Sequence, residues 1–329
     1  MAGPAIIERL RFGMQSGEKG RWFDPSMLPA WITICVITTG VIAGFTLTPF
    51  RLATTLPFRL GFASLLLLMI SPLARRYQMN RAATLLEGFG LVGLSAIVTI
   101  LATNLLCATP MPLADGILDR ADKALGFEYR AMLAWLARHP AIFDAAHYIY
   151  HTQLWQPGIV MLVLVTTGQF VRCRLFVNAW ILALALTLVL WPLFPALSTY
   201  PYYRLSPAEV PGLASPAPWQ VADIVRSIHS GTRRSIDETS ALLGLISFPS
   251  FHAAGATTLA WAMWRTPLLW LPFALLNVGV AITAVPVGGH YLVDILGGAA
   301  VSAIAIGAAQ RLSTSNLDVP VRAGFPRDR

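Results

Sequence analysis

The sequence predicts an all-α fold, a polytopic bundle of about eight transmembrane helices. Three observations carry this. Hydrophobic residues make up 56% of the 329 and charged residues only 12%, about half the charge of a soluble domain. No soluble globule can solvate such a surface, and no disordered chain is this apolar. The apolar residues gather into runs near the ~20 needed to cross a bilayer, and alternate runs are joined by basic turns. The net charge of +8 therefore reads as a topology signal, with no nucleic-acid partner. Cys35, Cys107 and Cys173 lie in or beside apolar runs without a C-x-x-C pair, so neither a disulfide framework nor a zinc site is read from them.

Taken in order, residues 1–30 lack the short apolar core and small-residue end of a signal peptide and read as a cytoplasmic tail. Clear spans are predicted near 31–50, 84–108, 175–196 and 291–310. The stretch 56–74 is shorter but dense in leucine. The stretch 143–168 opens with DAAHYIYHTQLWQP and ends apolar, so its outer half is expected to face the bundle interior. The stretch 252–286 has the length of two spans, with Arg265, Thr266 and Pro267 as the break.

Charge orients the bundle. With the amino terminus inside, Arg9, Arg11, Lys19, Arg21, then Arg75, Arg76, Arg81, then Arg172, Arg174, then Arg265, and finally Arg311, Arg322, Arg327 and Arg329 are cytoplasmic. These are 14 of the 24 basic residues, and every inner turn holds at least one. Both termini are thus expected inside, in a lipid bilayer taken to be the cell (inner) membrane. Two long outer loops remain. The first, 109–140, holds several acids and an amphipathic stretch, EYRAMLAWLARHP, expected to lie along the interface. The second, 197–248, is rich in Pro and Tyr and then turns basic. No internal repeat is present in the sequence.

Ionisable residues at membrane depth are costly and point to function. His252 lies in SFPSFHAAGA, where a spanning helix begins. Pro249 and Ser250 suit the first turn and cap of that helix, so its free amides and positive dipole end form a phosphate site beside His252. The plain alternative is a helix start with a chance interfacial histidine. His290 opens the last span in VGGHYLVDILGG, with Asp294 four residues later on one helical face. A carboxylate there orients one ring nitrogen and leaves the other as nucleophile or ligand; the plain alternative is a pair that satisfies itself in a packed bundle. Topology puts both histidines at the same membrane face. Arg226, Arg233 and Arg234 stand in the outer loop just before, against the positive-inside trend, and their planar forks match phosphate oxygens.

PSFH followed by GGHYLVD resembles the second and third motifs of the type 2 phosphatidic acid phosphatase (PAP2) superfamily. FPSFHAA with GGHYLVDILGG resembles, more narrowly, its inositol phosphorylceramide synthase (aureobasidin-target) branch. The resemblance covers roughly 84–310, implying a six-helix catalytic core there, with 1–83 as a tail plus two added helices and 311–329 as a cytoplasmic tail. There are departures. Arg226 and Arg233 keep the Lys-x6-Arg spacing of the first motif, with Arg for Lys and Arg234 for Pro. Phe251 stands where Gly is usual, and Thr283–Ala284 replace a Ser–Arg pair. These favour a phosphotransferase over a plain phosphatase.

The resemblance implies a mechanism without metal or cofactor. His290 attacks the phosphorus of a lipid phosphate or phospholipid, Asp294 holds its tautomer, and His252 protonates the leaving alkoxide. Arg233, with Arg226 or Arg234, and the amides near Ser250 and Phe251 stabilise the oxygens. Water, or an alcohol or polyol acceptor, then discharges the phosphohistidine on the extracytoplasmic face. Two rivals exist. A transporter or proton-coupled carrier also uses buried His and Asp, but here the candidate residues gather at one face. A zinc hydrolase ligated by His252, His290 and Asp294 is opposed by the nearby arginines and by the lack of H-E-x-x-H.

Overall fold

A computed structural model describes residues 24–206, 217–264 and 266–315. The expected tail segments 1–23 and 316–329, and Arg265 of the predicted break, lie outside the described residues. Helices dominate: α1 Leu28–Leu47, α2 Leu56–Arg76, α3 Asn80–Leu106, α4 Asp115–Ala124, α5 Tyr129–Ala137, α6 Pro140–His151, α7 Gln156–Thr166, α8 Phe170–Leu190, α9 Thr199–Tyr202, α10 Ala217–His229, α11 Phe251–Met263, α12 Trp270–Gly288 and α13 Leu292–Ser315. Among the described residues, six helical segments are long and apolar enough to cross a membrane: Pro25–Leu47, Leu56–Arg76, Asn80–Leu106, Phe170–Leu193, Trp270–Gly288 and Leu292–Ser313. The chain is built as an integral membrane protein.

Two of the eight expected spans take another form. The stretch 143–168 is broken between α6 and α7 by a 3-10 turn at Thr152–Leu154. Pro157 accounts for the break, because it cannot donate to Gln153 and its ring clashes there. The second is α11, a helix of only 13 residues. Thr266 and Pro267 then form the turn into α12, as the rigid proline requires.

Exposed Ile, Leu, Phe and Met side chains on α1 and α2, such as Phe58, Phe62 and Met69, suit lipid contact. The main buried cluster joins α1, α3, α7, α8 and α11 through Leu91, Met161, Leu164, Phe176, Ile181, Leu259 and Met263. Buried ion pairs fasten the first two helices to it. Arg75 of α2 meets Glu87 of α3 at 2.6 Å, and Trp31 of α1 donates to the same carboxylate at 3.3 Å. Arg174 of α8 meets Asp24 at 2.6 Å, while Asn178 accepts the Ala30 amide at 3.0 Å. Removing one partner of such a pair would leave an uncompensated buried charge.

At the other end, the loop after α1 and the loop after α10 pair as two short parallel strands, β1 Arg51–Leu52 and β2 Ser235–Ile236. In the expected outer loop, α4 turns Asp115, Asp119 and Asp122 inward, and α5 occupies the predicted amphipathic stretch. Last, α11 and α13 pack backbone to backbone. A methyl group on Gly298 would come within 2.2 Å of the Ser250 carbonyl oxygen, so only glycine permits this approach.

Candidate active site

His290 lies between α12 and α13. Gly289 ends α12 in the left-handed conformation, φ 67°, which glycine adopts without strain. His290 therefore precedes the last helix and is not on its face. Asp294 sits in the first turn of α13, and its Oδ2 accepts the Tyr291 amide at 3.0 Å, the return bond of a capping box. That same oxygen accepts from Ser247 Oγ at 2.9 Å and faces His290 Nδ1 at 3.1 Å. The expected His–Asp pair forms, but helix capping brings it together.

These partners set the tautomer. A carboxylate only accepts, so Nδ1 of His290 carries hydrogen, and in the neutral ring Nε2 holds a lone pair. Ser250 Oγ lies 3.2 Å from Nε2 and can donate its hydrogen to the neutral ring there. His290 is 5% exposed, and Asp294 and Ser250 are fully buried. An oriented imidazole with an unprotonated nitrogen at a helix start is a ready nucleophile.

Ser250 is the cap of α11, accepting the Ala253 amide at 3.4 Å. Pro249 precedes the cap and does not enter the first turn. The Ser250 amide donates to the Asp294 carbonyl at 3.0 Å, so it is committed to joining α11 and α13 and does not face an incoming oxyanion as expected. Phe251 and His252 open the helix, where amides have no intrahelical acceptor; the Phe251 ring stands edge-on to Trp180 at 5.1 Å. His252 lies with its ring centre 6.4 Å from that of His290. Thus His290, Asp294, Ser250 and His252 converge from segments 40 residues apart.

The arginines do not join them by any described bond. Arg226 is exposed on α10 and pairs with Asp223 at 3.0 Å. Arg233 meets Asp237 at 2.5 Å and donates to the Ser235 carbonyl at 3.1 Å. Arg234 is exposed, and its carbonyl accepts the Arg51 amide at 3.0 Å. The bonds of Arg233 engage its Nε and Nη2. Thr283, where the motif's usual Ser–Arg pair would begin, bonds the Val280 carbonyl at 3.2 Å.

Several residues that hold the site escaped the sequence reading. Asp122 accepts the Leu292 and Val293 amides at 2.8 and 2.9 Å, capping the helix that bears Asp294. Asp115 accepts the Leu197 and Ser198 amides and the Tyr291 hydroxyl, each at 3.0–3.1 Å. Burial pushes both carboxyls above the usual range, against the pull of the amides. Asp119 is the reverse case. Burial raises it, but the Tyr203 hydroxyl and the Lys123 ammonium outweigh that and hold it below the usual range. The 115, 119, 122 spacing puts three acids on one helical face, which is the signal that could have revealed them. Ser247 gave no such signal. Tyr150, whose hydroxyl is 3.1 Å from His252 Nδ1, lay in the polar stretch expected to face inward. Among the described residues no group of three or more His, Cys, Asp or Glu is placed to hold a metal ion.

A family model described as the PAP2 superfamily matches residues 117–308. That range takes in Asp119 and Asp122 of α4, Tyr150, the arginines and both histidine motifs. No curated protein and no solved structure matches the chain.

Proposed function

Because the chain belongs to the PAP2 superfamily, we propose that it is a membrane-embedded lipid phosphatase or phosphotransferase that works through a phosphohistidine. In finer terms we read it as inositol phosphorylceramide synthase-like, moving a phosphoryl-bearing head group from a phospholipid to an alcohol or polyol acceptor. The observation that carries this is the setting of His290: Nδ1 on Asp294 at 3.1 Å, Nε2 on Ser250 at 3.2 Å, and a second histidine 6.4 Å away. A self-satisfied structural pair would need no second imidazole there.

In this reading a phosphate displaces the Ser250 hydroxyl from Nε2 of His290, which attacks phosphorus. Asp294 stabilises the positive charge that grows on the ring. The α11 amides at Phe251 and His252 and the dipole of the helix face the phosphate oxygens. His252 protonates the departing alkoxide, then takes the proton from water or the acceptor. Arg233, with Arg226 or Arg234, adds positive charge once freed from its loop partners, so the chemistry runs without a metal. The catalytic core spans 84–310, with its site on the extracytoplasmic face and both tails cytoplasmic.

The test is a lipid-extract assay with purified protein in EDTA, following free phosphate and new phospholipid species together. Phosphate release from phosphatidic acid, or head-group exchange from phosphatidylinositol, supports the reading and excludes both transport alone and zinc hydrolysis. Neither product appearing would overturn it, and product identity separates hydrolase from transferase.

A further inference from the structure

Tyr150 stands one residue before the end of α6 and meets His252 in two ways. Its hydroxyl is 3.1 Å from Nδ1, and its ring stacks on the imidazole with centres 4.1 Å apart and planes 21° apart. Gly288 adjoins the same hydroxyl: an added methyl there would lie 3.0 Å from it and 2.9 Å from His290 Cδ2. The phenol and the His290 imidazole therefore border a space that a side chain at 288 would fill. Stacking fixes the plane of the His252 ring. The hydroxyl then decides which nitrogen is tied and which points away.

We propose, resting on the reaction above, that Tyr150 is the positioning residue of the general acid. Its oxygen accepts the Nδ1–H of His252 and so commits Nε2 to the proton exchanged with substrate. The proton balance closes with nothing added. In the first step imidazolium His252 passes its Nε2 proton to the leaving oxygen, as that oxygen's bond to phosphorus breaks and the bond from phosphorus to His290 Nε2 forms. The ring is left neutral, with its remaining hydrogen on Nδ1 and still on Tyr150. In the second step Nε2 takes a proton from water or the acceptor hydroxyl as that oxygen attacks phosphorus and the P–N bond breaks. The imidazolium is restored.

A phenol suits this post better than a carboxylate. It orients the ring but carries no negative charge to hold back the proton that must be given away. The carboxylate stands instead behind His290, where electron density is wanted for attack. Two histidines with unlike orienters thereby take unlike roles, as paired titratable groups in divided environments do.

Tyr150→Phe tests this, since it keeps the stacked ring and removes the oxygen. The probes are dioctanoyl phosphatidic acid, whose alkoxide needs protonation, and p-nitrophenyl phosphate, whose phenolate does not. Turnover of the first should fall on the order of tenfold to a hundredfold and of the second less than about threefold, part of the ~10²–10⁴ that general acids supply. Nitrogen-15 spectra give a second readout. The His252 resonances, identified by their loss in His252→Ala, should show hydrogen on Nδ1 in the neutral ring of the wild type and a tautomer mixture in Tyr150→Phe. Equal loss with both probes, no loss with either, or neutral wild-type His252 with hydrogen on Nε2 overturns the proposal. If the reaction itself is misread, wild type forms no phosphoenzyme, and the tautomer alone then decides the role of Tyr150. The wild-type spectrum also decides it if Tyr150→Phe does not fold.

Discussion

Asp122 and Asp294 grip the same helix start from two sides. Asp122 takes the amides of Leu292 and Val293 at 2.8 and 2.9 Å, and Asp294 takes that of Tyr291 at 3.0 Å. Between them they satisfy three of the donors that open α13 and fix where Asp294 meets His290. Asp122→Ala should therefore cost stability on the order of 2 kcal/mol, the scale of a hydrogen bond to a charged group. Phosphoenzyme yield should fall with it. Asp122→Asn keeps one acceptor oxygen and should be milder in both. Thermal unfolding in detergent and phosphate trapping read the two effects; an Asp122→Ala protein as stable and active as wild type would remove Asp122 from the site.

The covalent step gives the second prediction. With His290 as nucleophile, His290→Ala should trap no acid-labile, base-stable phosphate, while His252→Ala should still form it from an aryl phosphate. Loss of His252 should also spare aryl over lipid substrates. Phosphate retained on His290→Ala would move the nucleophile elsewhere and leave the His–Asp pair as packing.

With Arg233 in its proposed role at the phosphate, Arg233→Lys should lower turnover on the order of 10²–10³, the scale of losing one donor to a developing oxyanion, because a point charge cannot replace a fork. Steady-state rates on phosphatidic acid measure it. Activity near wild type would shift the role to Arg226 or Arg234.

Topology is checked by cysteine labelling in a background without Cys35, Cys107 and Cys173. A membrane-impermeant reagent added from outside should modify a cysteine placed at Ser215 and not one at Ser315. The reverse pattern would invert the bundle and move the site to the cytoplasm.

Much of the fold was legible because its signals are local. A run of 20 apolar residues declares a span at once, and α1, α2, α3, α8, α12 and α13 all lie within a few residues of their predicted places. Pro157 declared the break in 143–168 just as locally, yet the apolar run that follows it masked the turn. The His290–Asp294 contact was legible from its spacing of four, although the geometry is a helix cap and not a helix face. What could not be read were contacts made across long separations. Asp122 reaches Leu292 over 170 residues, and Tyr150 reaches His252 over 102. The 115, 119, 122 spacing marks a shared acidic face, but nothing in a single sequence says which distant amides that face meets. The arginines show the converse: a motif-like spacing was plain, but their bonds to Asp223 and Asp237 depend on how the loop folds.

Gly298 bears on when the chain acquires its chemistry. Membrane helices form before they associate, so α11 and α13 begin as separate rods, one bearing Ser250 and His252 and the other Asp294, with His290 just ahead of it. Neither rod alone holds a capped nucleophile beside an acid. Ser250 and His252 reach the His290–Asp294 pair only after the carbonyl of Ser250 has settled against the bare backbone at Gly298. On the function proposed above, the chain thus acquires its chemistry only once these two helices have packed.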